Sequence, residues 1–324
     1  MKAIQLKEFG GPEVLRLVDL DVPVPRDHEV LIEVKAIGVN YADTARREGQ
    51  YVVNTPLPFI PGAEVSGVVT QVGRHVKTVS PGTRVVTLIE SNGYAEYAIA
   101  SEQSIIPLPE NLDFINAVAL PLQGLSAYHI IKTMGRLEKG ETILVHAAAG
   151  GVGTIAIQLA KLFGAGKVIA TASTEEKLVL AREMGADVLI NYTNEDWFEQ
   201  VLKATEGKGV DVALEMAGGE VFHNTLKCLA SFGRLVIYGV ASGVQSKFYP
   251  SSLMARNQSV IGFFLPQIMR KPALLQSSLS DLLQFVATDE LKLTIGGVYP
   301  LEEATKVHEL LQGRRTTGKL VLTP

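Results

Sequence analysis

The residues with the clearest chemical purpose in this 324-residue sequence are small ones. His146 to Lys161 reads HAAAGGVGTIAIQLAK and directly follows the apolar run TILVHA. Ala148, Gly150 and Gly153 take the three positions of the G-x-G-x-x-G pattern, with Ala in the first. Gly150 lets the backbone approach a pyrophosphate, and Gly153 lets a helix lie close on its strand. The helix N-terminus then offers unpaired N–H groups and a positive dipole end to the phosphates. Roughly twenty residues past such a turn, an NAD site places a carboxylate on the adenosine ribose. The sequence there is VIATASTEEK, so Ala172 falls where the acid is expected, followed by Ser173 and Lys177. Without the acid nothing repels a 2′-phosphate, and a hydroxyl and an ammonium can hold one. NADPH is therefore the expected cofactor, with Glu175 and Glu176 as the opposing charges.

These residues need a scaffold of alternating strands and helices, and the sequence supplies one from about Gly140. Strands are predicted at Thr142 to Ala147, Lys167 to Thr171, Val188 to Asn191, Val210 to Glu215, Arg234 to Tyr238 and Ser259 to Phe263. Helices are predicted between them at Gly151 to Phe163, Glu175 to Met184, Trp197 to Ala204 and Val221 to Leu229. Six strands with crossovers form a doubly wound parallel sheet, so the fold class is α/β. The first third differs, with short β-type runs punctuated by Gly and Pro: Leu15 to Val18, Val30 to Ala36, Val65 to Val72, Arg84 to Leu88 and Tyr94 to Ala98. They read as an irregular antiparallel or barrel-like domain. After a helix predicted at Ala273 to Ala287, β texture returns at Gly318 to Leu322. The expected organisation is a β-rich first domain over 1–123, a cofactor domain over 124–265 and a segment over 266–324 that rejoins the first.

Composition excludes several classes. Apolar residues make up 47% and charged residues 20%, which is ordinary for a globular chain and leaves no case for disorder. A net charge of −4 without a basic run argues against nucleic acid as a partner. The start, Met1 to Phe9, mixes charges into apolar residues and matches no export or transit signal. No uninterrupted apolar run is long enough to span a bilayer. Cys228 is the single cysteine, so an internal disulfide and a cysteine-rich metal site are both excluded. A cytoplasmic setting is expected.

Several strings in matching order resemble the quinone oxidoreductase (zeta-crystallin-like) family of the medium-chain dehydrogenase/reductase superfamily. They are FGGPEVL (Phe9 to Leu15), AIGVNYADTARREGQY (Ala36 to Tyr51), PGAEVSGVV (Pro61 to Val69), PGTRVV (Pro81 to Val86), LPLQGLSAYHII (Leu120 to Ile131), HAAAGGVG, LINY (Leu189 to Tyr192), VIYG (Val236 to Gly239) and GRRTTGKLVL (Gly313 to Leu322). The resemblance implies a GroES-like, β-rich catalytic domain joined to a Rossmann domain. It implies that Gly150, Gly151, Val152 and Gly153 hold the pyrophosphate, and that Lys177, Tyr192 and Arg315 surround the 2′-phosphate beside Ser173. It also implies that Gly239, Val240, Phe263 and Phe264 line the nicotinamide half, with Ser126 as a further cofactor contact. Relatives commonly form homodimers through edge strands of their cofactor domains, and the apolar strand at Ser259 to Phe263 suits that role.

Zinc-dependent alcohol dehydrogenases of the superfamily polarise the substrate oxygen with a Cys, a His and a third ligand. Here Asn40 stands where the first Cys would fall, and Ala63 precedes Glu64 where a His-Glu pair would lie. Thr87 to Ala98 holds no cysteine for a second metal, so neither zinc is expected. Without metal the protein would mainly orient the nicotinamide against an electron-poor acceptor, a quinone or a conjugated carbonyl. Asn40, Asp43 and Tyr51 are the candidate catalytic residues: Asn40 to donate to a carbonyl or hold a ribose, Asp43 to fix its loop, and Tyr51 to donate or to gate entry. Ala45 follows Asp43-Thr44 where relatives often carry Tyr, which makes a roomier pocket plausible. The expected function is zinc-independent, NADPH-dependent reduction of quinones. The alternatives are reduction of an enal or enone double bond and, in another class, a non-catalytic crystallin-like or RNA-binding role.

Overall fold

The computed structural model describes all 324 residues. Seven strands come first: β1 (Lys2–Gln5), β2 (Arg16–Asp19), β3 (Glu29–Val39), β4 (Glu64–Val72), β5 (Arg84–Leu88), β6 (Tyr97–Ser101) and β7 (Ile105–Pro107). Six follow in the middle of the chain: β8 (Thr142–Val145), β9 (Lys167–Ala172), β10 (Val188–Asn191), β11 (Val210–Glu215), β12 (Leu229–Ile237) and β13 (Ser259–Gly262). The last two are β14 (Ile295–Pro300) and β15 (Lys319–Thr323). The chain divides into two compact units, Met1–Leu122 with Thr294–Pro324, and Gln123–Leu293.

In the first unit the sheet runs β14-β15-β3-β4-β5-β7, with β6 also paired to β3. β3 organises it because it is apolar along most of its length: Val30, Leu31, Ile32, Val34, Ala36, Ile37 and Val39 are all buried. The C-terminal strand β15 runs antiparallel to β3 in the register Leu320↔Val39 and Leu322↔Ile37. Continuing that register by one residue sets Lys319 against Asn40. The strand expected at Tyr94 to Ala98 lies three residues later, at β6. Tyr94 and Ala95 are fully buried instead in the stretch before it, where the Tyr94 carbonyl accepts from the Ile4 N–H at 2.8 Å.

The second unit is a six-stranded parallel sheet in the order β10-β9-β8-β11-β12-β13, a doubly wound α/β arrangement. The strand order reverses between β8 and β11, the place where such sheets bind ligands at their C-terminal ends. The helix Pro272–Ala287 stays with this unit, and the return to the first unit begins at Thr294, not at 266. Specific contacts hold it there. The Ser278 hydroxyl lies 3.1 Å from His129 Nε2, and the Tyr128 hydroxyl donates to Asp281. One helical stretch, Phe114–Met134, is long and apolar enough to cross a membrane, and 78% of its apolar 18-residue window is buried inside the protein.

Candidate functional site

The glycine turn sits between β8 and the helix Gly151–Leu162, as its spacing requires. Its left-handed residue is Ala147, at φ 47°, and the Ala148 N–H reaches the Thr171 carbonyl of β9 at 3.1 Å. The glycines differ in what the protein itself demands of them. A Cβ on Gly153 would lie 2.3 Å from the Ala147 carbonyl oxygen and 2.8 Å from Ala148 backbone atoms, so helix–strand packing alone excludes a side chain. A Cβ on Gly150 would meet only the Ala147 carbonyl oxygen, at 3.2 Å. Packing makes little demand there, and Gly150 has φ −78°, which any residue adopts. The helix N-terminus is thus left open at Gly150, and a pyrophosphate fits that cradle.

The adjacent strand ends lie where the adenosine side is expected. Asn191 pairs with Ala172, and the Tyr192 N–H donates to the Ala172 carbonyl at 3.1 Å. Tyr192 and Ser173 therefore leave neighbouring strands at the same end. Thr174 caps the helix Glu175–Glu183 by accepting from the Lys177 N–H, which puts Lys177 in the first turn beyond Ser173. No carboxylate ends β9. Glu175 and Glu176 are both exposed on the helix.

Beyond β11 and β12 the chain is tied together where the nicotinamide half is expected. The Ala241 N–H donates to Met216 at 2.8 Å, and a Cβ on Gly239 would lie 3.1 Å from the same carbonyl oxygen. Gly239 and Val240 are half-buried at this junction. Phe263 and Phe264 follow β13 and line an apolar depression of about 300 Å³ with Met134, Gly262, Gln267 and Ile268. Ser126 is buried in the helix Leu125–Tyr128.

The first unit holds its own polar assembly around the helix Tyr41–Arg47. Asn40 caps that helix and is buried. Its Oδ1 accepts from Lys319 Nζ at 2.9 Å, and its Nδ2 donates to Glu64 Oε1 at 2.7 Å. Lys319 and Glu64 are also paired with each other, at 1% and 0% side-chain exposure. Glu64 Oε2 accepts from the Leu122 N–H at 2.8 Å, so both carboxylate oxygens are engaged.

Asp43 is the next member. Its Oδ2 accepts from the Asn40 N–H at 2.9 Å and from the Tyr94 hydroxyl at 3.3 Å, and its Oδ1 from the Gly62 N–H at 3.3 Å. Burial pushes its carboxyl up to about 6, against the pull of those N–H groups and of Lys319. Behind it, Tyr94 Oη lies 3.1 Å from His308 Nε2, and His308 Nδ1 lies 3.1 Å from Arg47 Nη1. A guanidinium only donates, so Nδ1 accepts, Nε2 carries the proton and donates to Tyr94, and the Tyr94 hydroxyl donates to Asp43. The chain thus has one direction. Burial first, and Arg47 second, hold His308 down to about 3, which keeps it neutral. Tyr51 is half-buried, with the Arg46 guanidinium 4.5 Å from its ring centre, and burial raises its phenol above the ordinary range. Arg315 is exposed in the loop before β15.

Comparison with known proteins agrees with both units. Residues 26–110 match the alcohol dehydrogenase GroES-like domain, and residues 151–287 match the zinc-binding dehydrogenase domain. The human quinone oxidoreductase is 36% identical over 332 aligned residues, covering 99% of this chain and 97% of its own length. The chain belongs to the quinone oxidoreductase family. Two solved structures superpose over the whole of both chains. One is a mycobacterial protein complexed with NADPH, with TM-score 0.95 and 36% identity. The other is the Escherichia coli quinone oxidoreductase complexed with NADPH, with TM-score 0.95 and 33% identity.

For a quinone oxidoreductase family member, the residues that sequence reasoning missed are the supports. Glu64 entered it only as the neighbour of a missing ligand, and Lys319, Tyr94, His308 and Arg47 carried no role. Glu64 and Lys319 did leave a trace, each a lone charge in an otherwise apolar strand (EVSGVV and KLVL). A charge in such a place must be paired. Despite the name of the matched domain, no three His, Cys, Asp or Glu side chains converge as a metal-ligand set. His146 and His129 instead serve in buried hydrogen bonds, to Thr171 and Thr225 and to Thr133 and Ser278.

Proposed function

We propose that this chain is an NADPH-dependent reductase that transfers hydride to quinones without zinc. The observation that carries the cofactor half is the paired end of β9 and β10. Ala172, Ser173, Lys177 and Tyr192 gather where an NAD site would carry an acid, next to a turn whose Gly150 is left open. NADPH supplies a hydride when bound; the protein's part is to hold it and to orient the acceptor. The quinone half is supported by the curated family members named quinone oxidoreductase. Zinc independence is supported by the donor set. Asn40, at the position of the first superfamily ligand, is held by Lys319 and Glu64, and an ammonium there opposes a dication. Asn40, Asp43 and Tyr51 are assigned as the polar residues of the acceptor site. Assembly as a homodimer is supported by β13, which ends the parallel sheet with one edge unpaired within the chain.

Steady-state oxidation of NADPH and of NADH with 1,4-benzoquinone tests the reading. NADPH should be preferred, and Lys177→Ala should raise its KM by roughly 10-fold, the scale of one charge-assisted hydrogen bond, with little change for NADH. Equal use of both cofactors by the wild type, or one tightly bound zinc per chain by elemental analysis, would overturn it. Light scattering at micromolar concentration tests the dimer.

A further inference from the structure

The N-terminus of the helix Gly151–Leu162 carries a polar group that the glycine fingerprint does not require. Gln123, within the helical turn Leu120–Gly124, lies over Gly151: a Cβ on Gly151 would fall 2.0 Å from Gln123 Oε1, 2.2 Å from its Cδ and 2.3 Å from its Nε2. Gly151 has no backbone need to be glycine, since it is the first residue of a regular helix and is absent from the positive-φ positions. Its missing side chain makes room for the Gln123 amide. Gln123 as a residue is 92% buried, at 8% exposure, and its buried Oε1 has no hydrogen-bond partner. A buried acceptor keeps its desolvation cost until a donor meets it, so Oε1 calls for a donor.

The chemistry of a dinucleotide restricts that donor. Phosphate oxygens only accept and cannot satisfy Oε1. The adenosine-side ribose is accounted for by the end of β9, at Ala172 and Ser173. The remaining donors that flank a pyrophosphate at this turn are the hydroxyls of the other ribose. We propose that Gln123 is a cofactor-binding residue whose Oε1 accepts a hydrogen bond from a hydroxyl of the nicotinamide-side ribose. Gly151 is then glycine to seat that amide, in contrast to Gly150, which faces the ligand, and Gly153, which packs the helix. This inference rests on the NADPH reading above.

The experiment compares two probes by equilibrium binding, with no turnover involved: NADPH, and adenosine 2′,5′-bisphosphate, which keeps the adenosine half and lacks the second ribose. Gln123→Met preserves length and removes the amide. It should weaken NADPH roughly 5- to 10-fold, the scale of one hydrogen bond, and leave the bisphosphate unchanged. Gly151→Ala displaces the amide without altering Gln123. It should cost NADPH a similar factor in the wild-type background and nothing further in Gln123→Met. Unchanged NADPH affinity in Gln123→Met, equal weakening of both probes, or additive losses in the double variant would overturn the assignment. Failure of the wild type to bind NADPH would sink the cofactor reading instead, and the bisphosphate titration separates the two failures.

Discussion

Lys319→Met should destabilise the first unit far more than the loss of an ordinary surface cation would. The ammonium bonds Asn40 Oδ1 at 2.9 Å and pairs with Glu64, with both partners of that ion pair almost wholly buried. Removing it leaves the Glu64 carboxylate in the interior with only the Asn40 amide and the Leu122 N–H as partners. Breaking one side of a buried pair typically costs about 3–5 kcal/mol, because the remaining charge keeps its desolvation penalty and loses its counter-ion. Lys2 and Glu302 supply an internal control. They are 51% and 45% exposed, and Lys2→Met should cost little by comparison.

The second arm is Lys319→Met with Glu64→Gln. A neutral amide at position 64 can still accept from Leu122, and with Asn40 turned over it can donate to the Oδ1 that Lys319 abandoned. The double variant should regain at least half of the loss. The probe matters, because the only tryptophan, Trp197, lies in the second unit and its fluorescence does not report on the first. Urea unfolding should therefore be followed by far-ultraviolet circular dichroism, together with hydrogen exchange of the β15 amides. A cost for Lys319→Met below about 1 kcal/mol, or a double variant less stable than the single, would refute the claim that this pair is a coupled buried unit.

Other outcomes follow from the same geometry. His308, held down to about 3, and His146, held down to about 4 by burial, are neutral in the fold but protonate near 6.5 once unfolded. Each withdraws about 1.4 kcal/mol per pH unit as pH falls from 6.5 toward its folded value. Asp43 acts in the opposite sense: raised to about 6, it contributes most below its unfolded value of 3.8 and loses that contribution as pH rises through 6. His129, held down to about 4 by burial first and Lys132 second, acts in the same sense as the other two histidines. Three histidines against one aspartate leave Tm falling on acidification from pH 6.5 to 4, and His308→Gln should flatten the slope; a flat wild-type profile would contradict these assignments. Gly153→Ala should abolish NADPH binding or lower Tm by several degrees, since its Cβ meets the Ala147 carbonyl oxygen at 2.3 Å; wild-type affinity and Tm together would show that the helix can shift freely. Tyr51→Phe should cost less than about 10-fold in single-turnover hydride transfer to a quinone, well short of the roughly 10²- to 10⁴-fold lost with a true general acid; a thousandfold loss with cofactor affinity intact would make Tyr51 that acid.

How much of this was legible beforehand depended on the range over which each feature is specified. The parallel sheet was legible because each of its strands is a short apolar run beside its own helix. Val188–Asn191 and Val210–Glu215 match their predicted bounds residue for residue, and the glycine turn sits where its spacing required. The end of the cofactor unit was not. Whether the helix Pro272–Ala287 stays or leaves is decided by Ser278 meeting His129 and Asp281 meeting Tyr128, about 150 residues away, and periodicity carries no such information. Tyr94 misled for a related reason. Its β-prone residues continue into β6, but its hydroxyl is claimed by Asp43 and His308, so it packs ahead of the strand.

The buried assembly around Asn40 shows why a list of residues at expected positions falls short of a site. Asn40 and Asp43 were both found from the helix-opening string VNYAD, and read locally each has free hydrogen-bonding capacity. In the fold that capacity is spent. Asn40 is gripped by Lys319 from 279 residues away and by Glu64 from 24 away, and Asp43 stands at the end of a chain that begins at Arg47 and runs through His308 and Tyr94. The register of β15 on β3 is what brings Lys319 to Asn40, and apolar residues such as Leu320 and Leu322, which are not part of the assembly, help to fix it. A one-residue slip would turn Lys319 to the other face and leave Glu64 buried without its counter-ion, so the charge pair in turn selects the register. Core packing and the geometry around Asn40 are thus specified by the same strand pairing. A substitution at Leu320 or Leu322 that loosened β15 should therefore disturb Asn40 without touching it.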